Sequence, residues 1–453
     1  MPQTPMTIFA ENVLTPEGWR SNARLSLAEG RISGLAFEQA PEAGDERHGT
    51  IVPAVANLHS HAFQRAMAGL AERRGPASDN FWSWREVMYR FTFAIEPDEA
   101  EAIAAQLYME MLEAGFCRVG EFNYLHNDKD GSHYGNIGEM AERIGAAASE
   151  TGIGLTLLPV FYAHSNFGGA EPNNGQRRFI HDRDSFQRLM EASAKVVAGL
   201  ESAVLGVAPH SLRAVTPEEL AFSESMTDGP VHMHIAEQTK EVDDCLAWSG
   251  KRPVEWLLDN TGVDGRWCLI HATHMTDAET DGLAKSGAVA GLCPVTEANL
   301  GDGIFPASRF LGAGGRFGIG SDSNVLIGLA DELRQLEYAQ RLGERARNVI
   351  AETGGTTGRR LFDGALAGGA QAMGIEAGIF KGAPGNFFSL DDSAAPWLKD
   401  DQALDGFIFA NQVKPDCVWV NGTKQVEGGR HRKRTAISAR FRKAMTALME
   451  RSA

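Results

Sequence analysis

The sequence predicts a (β/α)₈ TIM barrel carrying a small discontinuous β-sandwich domain built from both chain ends. From about residue 51, short apolar, β-rich runs alternate with amphipathic helical stretches, and the alternation repeats eight times. Residues 1–50 and roughly 377–430 read differently, as short alternating runs separated by turns: TIFAENVLT, GRISGLAF, CVWVNGT and KQVEGGR. The expected division is 53–376 for the barrel and 1–52 with 377–453 for the accessory domain, the latter ending in a helical tail over about 434–451.

The barrel strands are expected at IVPAVANLHSH (51–61), CRVGEFNY (117–124), IGLTLLPVFY (153–162), VLGVAPHS (204–211), PVHMHIAE (230–237), WCLIHATH (267–274), AVAGLCPV (288–295) and RFGIGSDS (316–323). Between them, PDEAEAIAAQLYMEMLEAG opens with a proline and acids suited to the positive helix start and stops at Gly115. Thr216 with Glu219 and Thr276 with Glu279 form capping-box pairs that start two further helices. FWSWREVMYR is read as a loop region, its Phe81, Trp82 and Trp84 forming either a water-excluding lid or a core or dimer contact.

With 453 residues, 43% of them hydrophobic and 23% charged, the chain can bury a large core. A formal charge of -16 argues against nucleic acid or anionic lipid as partners, and the run His431-Arg432-Lys433-Arg434 is read as a solvated face. Cys117, Cys245, Cys268, Cys293 and Cys417 are widely spaced and odd in number, which suits neither a disulfide framework nor a thiolate zinc knuckle. Neither a leader-like N-terminus nor a membrane-length apolar run is found, so the expectation is a soluble, cytoplasmic protein.

Chemistry concentrates at the expected C-terminal ends of strands, where barrel enzymes keep their active sites. His59 and His61 stand two apart on the first strand, face the same side and can grip one metal ion, although a lone H-x-H also fits a polar turn. His234 offers a third nitrogen, and Glu237, just past the fifth strand, can overhang an open coordination position. His232 is read as an ordinary satisfied barrel histidine. His271 ends the sixth strand, and Asp322 ends the eighth, where it could instead cap the next helix.

This set of H-x-H, H-x-x-E, His and Asp on strands one, five, six and eight resembles the mononuclear deaminase branch of the amidohydrolase superfamily. The resemblance implies that His59, His61, His234 and Asp322 bind the metal, that Glu237 shuttles protons and that His271 holds the attacking water or the leaving group. Binuclear relatives use a carboxylated lysine on strand four, but between residues 62 and 233 the lysines are Lys129, in a turn-like stretch, and Lys195, in a helix. One zinc is therefore expected, and the N/O ligands also admit Fe²⁺. Zinc would bring the pKa of a bound water to about 7, Asp322 would take its proton, and Glu237 would protonate the imine nitrogen.

Two phrases, HSHAFQR (59–65) and APHSLR (208–213), resemble the formimidoylglutamate deiminases of histidine degradation. That likeness implies a small dicarboxylate substrate carrying a formimino group, products ammonia and N-formylglutamate, and a homodimer. A dicarboxylate needs arginine, so Arg213 is the expected clamp and Arg85 a second, with Gln64, Tyr124 and His210 supplying hydrogen bonds. Arg85 could equally be a surface or interface residue, and Tyr124 could simply pack at a strand end. The alternatives are a nucleobase or aminohydrolase-type deaminase sharing the metal residues, and a non-catalytic barrel scaffold.

Overall fold

The computed structural model describes residues 6–74 and 80–452, so positions 1–5 of the expected accessory segment lie outside the described residues. Barrel strands run at Val55–Ser60, Phe116–Asn123, Gly154–Phe161, Val204–Leu205 with Ala208–Pro209, Val231–Ile235, Trp267–His271, Val289–Leu292 and Arg316–Ile319. All are parallel to their neighbours. Every residue of Phe116–Asn123 and of Gly154–Phe161 is buried, as expected when helices cover a parallel sheet on one side and the barrel core fills the other. The broken fourth strand joins the fifth through a bridge between Val207 and Val231, and Ile319 pairs with Asn57, so the ring closes.

A second sheet draws its strands from both chain ends. Its order is Arg430–His431, Thr423–Glu427, Lys414–Val420, Phe387–Asp391, Glu46–Pro53, Met6–Thr15, Gly18–Ala28, Arg31–Ala36. The antiparallel pairing of Phe387–Asp391 with Glu46–Pro53 joins the two halves. The run expected as one strand over 51–61 is therefore shared between sheets: it changes sheet at Ala54, whose N–H donates to the Asn386 carbonyl at 3.2 Å. Pro53, which has no N–H for a ladder and closes the Glu46–Pro53 strand, is the mark of that change.

The helix Pro97–Glu113 forms as expected, with Gly115 in the left-handed region at φ 95° just beyond it. Both capping boxes are present: Thr216 and Thr276 accept from the N–H groups of Glu219 and Glu279 at 3.3 Å, and those carboxylates accept the threonine N–H groups at 2.8 Å. FWSWREVMYR is not a loop. It opens the helix Phe81–Ala94, started by Asn80, whose side chain accepts from Trp82 N–H at 2.9 Å, and held by burying Met88 and Phe91.

The tail is the helix Arg434–Ser452, and the basic run before it is more than a solvated face. His431 is buried; its N–H donates to Glu113 at 2.8 Å and its Nε2 to the Thr151 carbonyl at 2.9 Å, while Arg434 pairs with Glu113. These contacts clamp the tail to the barrel. Among the described residues, no helix is long and apolar enough to cross a membrane.

Candidate active site

At the C-terminal mouth of the barrel, His59, His61, His234 and Asp322 converge, all buried and with their ligand atoms within 4.8 Å of one another. The Nε2 of His59 lies 3.2 Å from that of His61 and 3.1 Å from that of His234; Asp322 Oδ1 stands 3.4 Å and 3.2 Å from His59 and His61. Ligand bonds of about 2.1 Å at tetrahedral angles would set neighbouring donors about 3.4 Å apart, so this spacing suits one small cation.

The far side of each ring aims the near one. His61 Nδ1–H donates to the Phe122 carbonyl and His234 Nδ1–H to the His210 carbonyl, each at 3.1 Å, leaving both Nε2 lone pairs turned inward. Burial pushes the His59 imidazole down to about 3 and that of His234 well below its ordinary value, so both stay neutral. Burial alone would raise the Asp322 carboxyl, but the close His59 and His61 rings outweigh it and hold it well below the usual carboxylate range. Neutral imidazoles with an ionised carboxylate are the donor forms a dication requires. Asp322 caps no helix: the next one begins at Leu329, with Gly328 before it.

Backbone conformation at the mouth is unusual. Ala236, His271, Ala272 and Asp322 have φ of 50°, 67°, 48° and 46°, a region that costs non-glycine residues about 1–3 kcal/mol each. The strands turn sharply as they end, aiming His271 and Asp322 into the mouth. Glu241 steadies one such turn by accepting the N–H groups of Ala236 and Glu237.

Two groups suited to proton transfer overlook the nest. Burial raises the Glu237 carboxyl, so it can hold a proton that an exposed glutamate would lose. Burial would lower His271, but Glu237, Glu297 and Asp322 outweigh it and raise the imidazole to about 10. His271 Nε2 lies 3.9 Å from both Glu237 Oε1 and Asp322 Oδ2. By contrast, His232 points away from the nest and bonds the Ala372 carbonyl at 2.8 Å.

A cavity opens above, lined by His61, His234, Glu237, His271 and Asp322 at its base and by Gln64, Arg85, Tyr124, His210 and Arg213 on its walls. His59, fully buried, lies beneath. All the expected site residues are thus brought together. Arg213 is 7% exposed and its side chain makes no hydrogen bond or ion pair with any described residue. Arg85 faces the same cavity of its own chain, with its guanidinium carbon 4.5 Å from the Trp82 ring centre and 5.6 Å from that of Tyr89. Gln64 Nε2 donates to Tyr124 Oη at 2.8 Å, leaving its buried Oε1 without a partner among the described residues.

Sequence reasoning missed Tyr89 and Tyr162 on the cavity wall, and Glu241 and Glu297 behind it. A tyrosine beside each expected arginine or strand end could have flagged the first pair; the two glutamates gave no signal.

Residues 50–424 match the model of the amidohydrolase family, and residues 6–49 match that of the formimidoylglutamate deiminase HutF N-terminal domain. The chain is 50% identical to a formimidoylglutamate deiminase of Pseudomonas aeruginosa over 94% of this chain and 95% of that protein. It is 26% identical to a 5-methylthioadenosine/S-adenosylhomocysteine deaminase of Natronomonas pharaonis over 88% of this chain and 86% of that one. Among solved structures it resembles an amidohydrolase from Brucella melitensis, with a TM-score of 0.97 and 60% identity over 98% of this chain and 100% of the other.

Proposed function

The chain belongs to the amidohydrolase family and, within it, to the formimidoylglutamate deiminases, and from that premise we propose that it hydrolyses N-formimino-L-glutamate to N-formyl-L-glutamate and ammonia. The observation that carries the substrate is Arg213: a buried guanidinium without a protein partner, in the same cavity as the histidine nest, calls for an anionic group brought by the ligand. Arg85 across the cavity serves the second carboxylate. Gln64, Tyr124 and His210 supply hydrogen bonds that orient the chain between them.

His59, His61, His234 and Asp322 would hold one metal ion, zinc in our reading, with iron suited to the same donors. Bound there, the metal supplies the Lewis-acid charge that makes a water molecule nucleophilic near neutral pH. Asp322 takes a proton from the water as its oxygen joins the formimino carbon. Glu237 delivers a proton to the formimino nitrogen, and His271 donates a hydrogen bond from Nε2 to the oxygen. The proton held by Asp322 then passes to the nitrogen through Glu237, the carbon–nitrogen bond breaks, ammonia leaves, and the remaining hydroxyl proton returns to Glu237 as the formyl carbonyl forms.

Cytoplasmic location and homodimerisation belong to the same reading. The five cysteines, all buried and unpaired, suit a reducing compartment. An apolar strip of Ile304, Tyr338 and Leu342, the last 78% exposed, suits a subunit contact, and sedimentation would test it.

The decisive experiment measures ammonia release by zinc-loaded protein from N-formimino-L-glutamate, with adenine, guanine and cytosine in parallel and Glu237→Gln as control. Release from the formimino compound alone, lost in the variant, supports the proposal. Release from a base alone overturns the substrate and keeps the metal chemistry; no release from any, with no metal retained, points to a scaffold.

A further inference from the structure

Glu297 is a buried carboxylate, 5% exposed, with no part in the steps above. It stands in the short helix Pro294–Leu300 that follows the seventh barrel strand. Its Oε1 receives two hydrogen bonds, from the backbone N–H of Cys293 at 2.9 Å and from Nδ1 of His271 at 3.3 Å. The first satisfies a donor at the helix start that would otherwise be orphaned. The helix is pinned beside it, since Val295 N–H donates to Glu332 at 2.9 Å and Asp302 N–H to the Glu297 carbonyl at 2.9 Å. The carboxylate is therefore a fixed reference point for the ring it touches.

His271 needs such a reference. Its backbone is in the left-handed region, with φ 67°, so the strand ladder does not by itself dictate where the ring points. An imidazole bonded through Nδ1–H has the direction of its other nitrogen defined. Here that other nitrogen, Nε2, faces Glu237 and Asp322 at 3.9 Å each, over the floor of the cavity.

We propose that Glu297 is a positioning residue for the deimination: through its bond to Nδ1 it fixes the plane and direction of the His271 ring, so that Nε2 meets the oxygen being added to the formimino carbon. The role rests on the deiminase reading. A purely structural Glu297 would cap its helix and leave the chemistry alone.

Glu297→Gln separates the two. The amide keeps an acceptor for Cys293 but loses the charge and can turn an N–H toward His271, where it no longer accepts the Nδ1 proton that sets the ring's plane. The test is a double-mutant cycle of Glu297→Gln and His271→Asn, each protein loaded with zinc, checked for metal content and melting, and assayed at high enzyme concentration on N-formimino-L-glutamate. We expect Glu297→Gln to lower kcat about ten- to a hundredfold with KM within about twofold, and to cost nothing further when His271 is already asparagine. An unchanged kcat, or an equal loss in both backgrounds, would overturn the role. Should the glutamine variant lose metal or stability, Glu297→Asp, which keeps the charge, takes its place in the cycle and is read by the same criterion. Inactivity of the wild-type protein on this substrate would instead overturn the deiminase reading, and this role with it.

Discussion

Glu241 holds Glu237 in place from four residues further along the chain: its Oε2 accepts the Glu237 N–H at 3.2 Å, and its Oε1 accepts that of Ala236 at 3.1 Å. Ala236 has φ 50°, so this turn is strained and depends on its hydrogen bonds. Glu241→Ala leaves two buried N–H groups unpaired at about 1–3 kcal/mol each, and frees the carboxylate proposed for proton transfer to wander. The expected outcome is a lower melting temperature together with a kcat about ten- to a hundredfold lower, read by ammonia release. A destabilised variant with wild-type kcat would show that Glu237 finds its place without this support.

Arg213 makes the opposite trade. With no hydrogen bond or ion pair among the described residues, its charge is opposed by burial and upheld only by the fields of Glu241, Tyr162, Glu237 and Tyr89, which outweigh it. Arg213→Met, which keeps volume and removes the charge, is expected to melt at or above the wild-type temperature while kcat/KM for the dicarboxylate falls by about 2–5 kcal/mol of lost pairing. Arg213→Lys should not recover it, because an ammonium cannot offer the paired donors of a guanidinium. Full activity in the methionine variant would remove Arg213 from the substrate site.

Much of the proposed metal and proton-transfer set was legible in sequence because its residue types are out of place. Histidines and an aspartate closing runs such as WCLIH and RFGIG serve no packing purpose, so position and type together announced His271 and Asp322. Glu241 and Glu297 carried no such mark. Each lies in a polar, helix-forming stretch where acids usually face water, and only tertiary placement buries them against Glu237 and His271. The helix Phe81–Ala94 was hidden for a related reason: its aromatic residues obscure the helical period, and its burial comes from the cavity and tail it packs against. The sheet change at Ala54 is marked only by Pro53, because on either side of it both sheets ask for the same apolar residues.

Metal removal should show in stability as well as in turnover. The donors of His59, His61, His234 and Asp322 sit close together in a buried nest, and a ligand that binds only the folded state adds RT ln(1 + [L]/Kd) to its stability. Treatment with a strong chelator is expected to abolish ammonia release and lower the melting temperature, with one zinc per chain restoring both. His234→Ala should melt near the chelated protein and respond weakly to added zinc. An unaltered melting curve after complete metal removal would mean that the nest is held by the barrel alone.

Glu121 ties pH to stability beneath the same nest. It is 2% exposed, accepts Ala62 N–H at 2.7 Å just after the His59–His61 pair, and takes a second bond from Tyr108 Oη at 3.0 Å. Burial raises its carboxyl from 4.5 to about 7, only partly opposed by Ala62, His61 and Tyr108. Between those two values the folded protein keeps a proton that the unfolded chain has released, so stability falls as pH rises from 4.5 to about 7. The full effect is about 3 kcal/mol. Glu121→Gln keeps an acceptor for Ala62 and carries no charge. Its melting temperature should exceed that of the wild type at pH 8 and converge with it near pH 5. A gap that is the same at both pH values would assign the difference to packing, and would mean that Glu121 is ionised in the folded protein throughout.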